Sequence, residues 1–91
     1  MKKLYKFHWD CGRQGDVTGI FVAEEKEIRD NIGAEIDFGE ILGKHSEIYG
    51  ELNEEDLIVL TDDPEFIEKF EKLKCSSGYN PLQYIRVIND N

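Results

Sequence analysis

Lys3-Leu4-Tyr5-Lys6-Phe7-His8-Trp9-Asp10-Cys11, residues 3–11, sets Tyr5, Phe7, Trp9 and Cys11 at one parity and Lys6, His8 and Asp10 at the other. Period two with aromatic enrichment predicts a strand buried on one face. The next five residues, Gly12-Arg13-Gln14-Gly15-Asp16, are a turn signal with two glycines. Residues 17–23 are apolar enough to return as the second arm of an antiparallel hairpin.

Beyond this hairpin the period changes. Residues 24–32 predict a short helix: acids load the first turn, Ile28 and Ile32 share a face, and Gly33 ends it. Alternation returns in residues 34–42, with Ile36 and Phe38 opposite Glu35 and Asp37. Gly43-Lys44-His45-Ser46 breaks it, and residues 47–52 alternate once more. Asn53-Glu54-Glu55 turns into Leu57-Ile58-Val59-Leu60, an apolar run without a polar interruption that predicts a central strand of the sheet. Asp63 is an N-cap candidate and Pro64 suits the first helical position. Phe66, Ile67, Phe70 and Leu73 then form an apolar stripe, braced by Glu65–Lys69 and Glu68–Lys72 pairs. Ser76-Ser77-Gly78 stops the helix. Asn80-Pro81 can cap one more turn, and residues 84–88 read equally as a short strand.

The order is ββαβββα with a short C-terminal segment. It predicts one small α+β domain over residues 1–91: a mainly antiparallel sheet of about five strands with two helices packed on it. Ninety-one residues suit a single domain. A hydrophobic fraction of 40% and an aromatic fraction of 11% exclude a disordered tail.

Charge bounds the partners. Eleven Lys and Arg stand against 20 Asp and Glu, a net charge of −9. Residues 1–23 carry a net of +2 and residues 66–91 a net of +1. Residues 24–65 hold fifteen acids against Lys26, Arg29 and Lys44, a net of −12. This balance argues against direct nucleic-acid binding and against an anionic membrane surface, since both require Lys and Arg. It fits an acidic recognition surface for another protein with a basic surface, for which Glu24, Glu25, Asp37 and Glu40 are the candidate acids.

Lys6, His8 and Asp10 interrupt any apolar signal segment near the start, and no stretch approaches the ~18 apolar residues of a membrane span. The two cysteines lie 64 positions apart, unlike a secreted disulfide framework. The expected setting is cytoplasmic with reduced thiols.

Recognised chemistries fit poorly. Gly39-Glu40-Ile41-Leu42-Gly43-Lys44-His45-Ser46 has three residues between its glycines where a P-loop needs four, and His45 stands where Ser or Thr must follow the lysine. A zinc set of His8, Cys11, His45 and Cys75 requires His8 and Cys11 to face one way, but strand parity opposes them. Asp10 beside Cys11 would raise the thiol pKa, against a nucleophilic role. The acids lack the order of a calcium-binding loop. Glu54-Glu55-Asp56 and Asp62-Asp63 read as a turn and a helix cap. The expectation is no catalytic residue, no metal and no cofactor.

Two segments carry more polar side chains than scaffolding needs: residues 10–16, with Asp10, Arg13 and Gln14, and residues 43–50, with Lys44, His45, Ser46 and Tyr49. Brought together, they would form a polar patch around Trp9 or Tyr49, a candidate site for a small molecule or peptide, or for a minor enzyme activity. Homodimerisation through an unpaired sheet edge is a further expectation.

Tyr5-Lys6-Phe7-His8-Trp9-Asp10-Cys11-Gly12-Arg13 and residues 38–50, Phe38-Gly39-Glu40-Ile41-Leu42-Gly43-Lys44-His45-Ser46-Glu47-Ile48-Tyr49-Gly50, resemble stretches of small bacterial proteins carried by phages and other mobile elements. The resemblance implies an accessory interaction protein acting on a host factor. It brings no activity, cofactor or catalytic residue.

Overall fold

The computed structural model describes residues 1–43 and 47–86. Its backbone is the predicted hairpin. Strands β1 (Lys2–Asp10) and β2 (Asp16–Glu24) pair antiparallel throughout, from Lys2 opposite Glu24 to Asp10 opposite Asp16. Tyr5, Phe7, Val17, Phe21 and Ala23 are buried on one face, while Lys6, His8 and Thr18 on the other are exposed. The turn is a single 3-10 turn, Gly12–Gln14, closed by the Cys11 amide donating to the Gly15 carbonyl at 2.9 Å. Gly12 and Gly15 have φ of +66° and +113°, which favour glycine.

Helix α1 (Glu25–Asn31) follows, burying Ile28 against the hairpin. Strands β3 (Glu35–Gly39) and β4 (Ile48–Glu51) pair with each other, and β5 (Leu57–Thr61) returns to β1. Helix α2 (Pro64–Lys72) starts as predicted: Asp63 caps it, accepting from the Glu65 amide at 3.1 Å, and Pro64 takes the first position. A two-residue strand, β6 (Ser77–Gly78), lies beside β2. The Asn80 side chain then accepts from the Leu82 amide at 3.0 Å and caps a last 3-10 turn, Pro81–Gln83. Ile85 bridges to Ile36, so the tail continues as a fragment of strand along β3. Val87 and Ile88 lie outside the described residues.

The α+β class and the order ββαβββα hold, but the strands divide into two layers. One sheet has the order β5-β1-β2-β6; the other is the β3–β4 ribbon. The ribbon is a second layer because Ile36, Phe38 and Ile48 need an apolar surface that its two strands alone do not supply. They find it on Phe7, Val17 and Phe21, and Leu52 completes this core. Each fully buried side chain of this size contributes about 1.5–3 kcal/mol.

Two placements need correction. The run Leu57-Ile58-Val59-Leu60 is not central: β5 is an edge strand, and Ile58, Val59 and Leu60 are 56%, 48% and 46% exposed. An uninterrupted apolar run matches a strand covered on both faces, yet here nothing among the described residues lies beyond it. The stripe on α2 is likewise mostly uncovered, since only Ile67 is buried while Phe66 and Leu73 face solvent.

Candidate functional site

Trp9, at the end of β1, is the anchor of the site. Its ring meets Phe38 edge-on at 5.4 Å and Phe7 at 5.2 Å, and its Nε1 donates to Asp56 Oδ2 at 2.8 Å. Asp56 also accepts from the Asn53 amide at 3.0 Å, closing the capping box of the 3-10 turn Glu54–Asp56. The acids Glu54-Glu55-Asp56 thus form the expected turn. Gly50 of β4 lies beneath the indole, where an added Cβ would approach Trp9 Cη2 to 3.4 Å. A methyl group at position 50 would just touch the ring at ordinary van der Waals distance, so β4 lies close against the tryptophan here.

Next to this ring the two polar loops adjoin. Trp9, Asp10, Gln14, Glu47, Tyr49 and Glu51 line one open groove of about 330 Å³. The Asp10 carboxylate accepts from the Gly12 amide at 2.9 Å, which holds the first loop in its turn. Tyr49, exposed on β4, also borders a second groove of about 260 Å³ with Asp37, Glu51 and Arg86. Of the predicted site residues, Trp9, Asp10 and Tyr49 come together. Arg13 is exposed on the turn but does not line the groove, and Lys44, His45 and Ser46 lie outside the described residues.

The four nominated acids do not form one free cluster. Glu24 is paired with the N-terminal ammonium at 3.0 Å, and Glu25 with Lys3 at 2.8 Å. Asp37 is paired with Arg86 at 3.1 Å, whereas Glu40 is exposed with no ion pair to any of the described residues. The Lys3 hydrogen bond holds the Glu25 carboxyl below its usual range, and the same bond raises Lys3. Glu51 and Arg86 were not anticipated. The β3–β4 register and the tail beside β3 bring them in, and neither residue shows this in its local pattern.

Nucleophilic chemistry finds little support in this geometry. Cys11 packs on the core, and burial, then Asp10, then Asp16 push its thiol pKa up. His8 is on the opposite face, 3.0 Å from Asp16. Among the described residues, no three His, Cys, Asp or Glu gather as a metal site, and no helix is long and apolar enough to cross a membrane. The groove instead sets an exposed phenol beside three carboxylates, Asp10, Glu47 and Glu51, with no cation in its lining among the described residues. Such a wall suits a cationic side chain, held by charge and by the aromatic face.

Fold and groove together define a small α+β domain with an acidic groove lined by Trp9 and Tyr49. Comparison with protein-family models, curated proteins and solved structures found no match to the chain.

Proposed function

We propose that this chain is a non-enzymatic interaction module that offers an acidic surface to a basic partner protein. The observation that carries the reading is the exposure of its acids. Of the fifteen acids in residues 24–65, thirteen are exposed and only Asp37 and Asp56 are half-buried. Charge of one sign held on a rigid scaffold steers a basic partner and fixes its register. A cytoplasmic setting and a role as accessory factor of a mobile element, competing for a cationic cleft on a host protein, belong to the same proposal. A second reading, a small-molecule or peptide binder, draws on the adjoining of the two loops across one groove.

The test is affinity capture from a lysate of the native host at low and high salt. It compares the wild-type chain with a variant reversing Glu24, Glu25, Asp37 and Glu40 to Lys. A basic protein captured at low salt, released at high salt and lost with charge reversal is the expected result. A partner indifferent to salt and to those changes overturns the acidic-surface reading, and a retained metabolite favours the second.

A further inference from the structure

Edge strands in native proteins are ordinarily blunted by a charge, a proline or a covering element. Strand β5 has neither charge nor proline within Leu57–Thr61, and no strand of the described residues pairs with its outer edge. Its side chains offer apolar surface on both faces. On one, Val59 shares a groove of about 500 Å³ with Ile28, Ile32 and Tyr5. On the other, Leu60 and Phe66 line a groove with Leu4. A strand added here would find open main-chain groups along its length and apolar neighbours above and below.

Charge decides which strand. Glu54 and Glu55 precede β5, Asp62 and Asp63 follow it, and none of the four is ion-paired among the described residues. A second copy pairing antiparallel about Val59 would place Glu55 opposite Asp63 and Asp56 opposite Asp62. A shift of one residue sets Glu55 against Asp62, and parallel pairing sets each acidic end on itself. Every such arrangement puts like charges opposite one another, which disfavours a homodimer through this edge. The complementary occupant has the opposite ends.

We propose that β5 receives an extended segment of a partner protein in which a short apolar core is flanked on both sides by Lys or Arg. The cationic ends would stand roughly 20–25 Å apart, the extended length of residues 55–62. The proposal rests on the acidic-module reading and names its binding mode: main-chain pairing and apolar side chains in the middle, ion pairs at both ends.

The experiment uses the full chain and a labelled, end-blocked peptide, Lys-Lys-Thr-Val-Ile-Val-Thr-Lys-Lys. One comparison peptide has Pro at the central position and another has Glu for every Lys. Binding is read by fluorescence anisotropy and by amide exchange of residues 57–61. The expected result is binding of the Lys-flanked peptide, slowed exchange in β5, and at least tenfold weaker binding of both comparison peptides. Ile58→Lys/Leu60→Lys changes two solvent-facing side chains, so its circular dichroism should match wild type while its affinity falls at least tenfold. Suppose binding depends on salt and on Glu55→Lys/Asp62→Lys but not on the central Pro or on Ile58→Lys/Leu60→Lys. Then the edge proposal fails and the acidic-module reading stands. Equal binding of the Glu-flanked peptide overturns both. Absence of peptide binding overturns the edge proposal, as does a dimer in sedimentation that Ile58→Lys/Leu60→Lys dissolves, because the occupant would then be a second copy.

Discussion

Trp9 Nε1 donates to Asp56 Oδ2 at 2.8 Å, tying the end of β1 to the turn that launches β5. The two residues are 47 positions apart, so the bond closes a long loop over the β3–β4 layer. Trp9→Phe removes the donor together with part of the indole that packs over Gly50. It should cost more than the about 1.5–3 kcal/mol of a hydrogen bond to a charged group, because packing is lost as well. Asp56→Ala leaves the indole in place and should cost about 1.5–3 kcal/mol, since it deprives both the Trp9 Nε1 and the Asn53 amide of their acceptor. Urea unfolding followed by far-ultraviolet circular dichroism measures both, and an Asp56→Ala cost well under about 1 kcal/mol would mean that this bond contributes little to the fold.

Gly19 marks where the chain passes over its own backbone. A Cβ at this position would be driven into the Tyr79 carbonyl, because the segment after β6 crosses β2 there. Backbone cannot swing aside as a flexible side chain does, so Gly19→Ala should destabilise by about 2–3 kcal/mol. It should also disturb the edge contact of Tyr79 with Phe38, at 5.7 Å. Gly12→Ala is the control: nothing lies within 4 Å, and only its φ of +66° is strained, for about 1 kcal/mol. Unfolding midpoints and the near-ultraviolet spectrum together test the pair.

The hairpin was legible because Tyr5, Phe7 and Trp9 alternate with Lys6, His8 and Asp10, and local period dictates local structure. Asp63-Pro64 was legible for the same reason, since a cap acts within one turn. The division into two layers was not. Whether Ile36 and Phe38 pair in the main sheet or pack across it depends on partners such as Phe7 and Trp9, far away in sequence. The run at residues 57–60 misled because an apolar strand reads alike whether covered by its own chain or left at an edge. In the site, Trp9, Asp10 and Tyr49 stood out by type and loop position. That Arg86 would pair with Asp37, 49 positions earlier, depended on the tail settling beside β3.

The two thiols should react at different rates. Cys11 is half-buried, and burial and the carboxylates of Asp10 and Asp16 raise its pKa, so little thiolate exists near neutral pH. Cys75 is exposed just beyond α2. Iodoacetamide on the native chain should modify Cys75 first, with Cys11 following only slowly, as read by peptide mass spectrometry. In denaturant the difference should collapse. Rapid native labelling of Cys11 would show that the end of β1 opens far more readily than its packing implies.

The Lys3–Glu25 pair predicts a defined pH dependence of stability. Its partner holds Glu25 below the usual carboxylate value of 4.5 in the folded chain. The unfolded state therefore takes up its proton first as pH falls. The contribution is complete above 4.5 and is lost as pH drops through the lowered value. Lys3 has the opposite sign: its raised folded pKa gives a contribution complete below 10.5 and lost as pH rises through the raised value. Both groups are solvent-accessible, so the effect should be small and should shrink in high salt. Glu25→Gln should accordingly lower the urea midpoint slightly at neutral pH. The variant and wild-type curves should begin to converge below 4.5 in acid and above 10.5 in base, and should meet once pH has passed the lowered Glu25 and raised Lys3 values. A gap that persists at acid pH would mean that Glu25 stabilises the start of α1 through packing or its uncharged hydrogen bonds rather than through its charge.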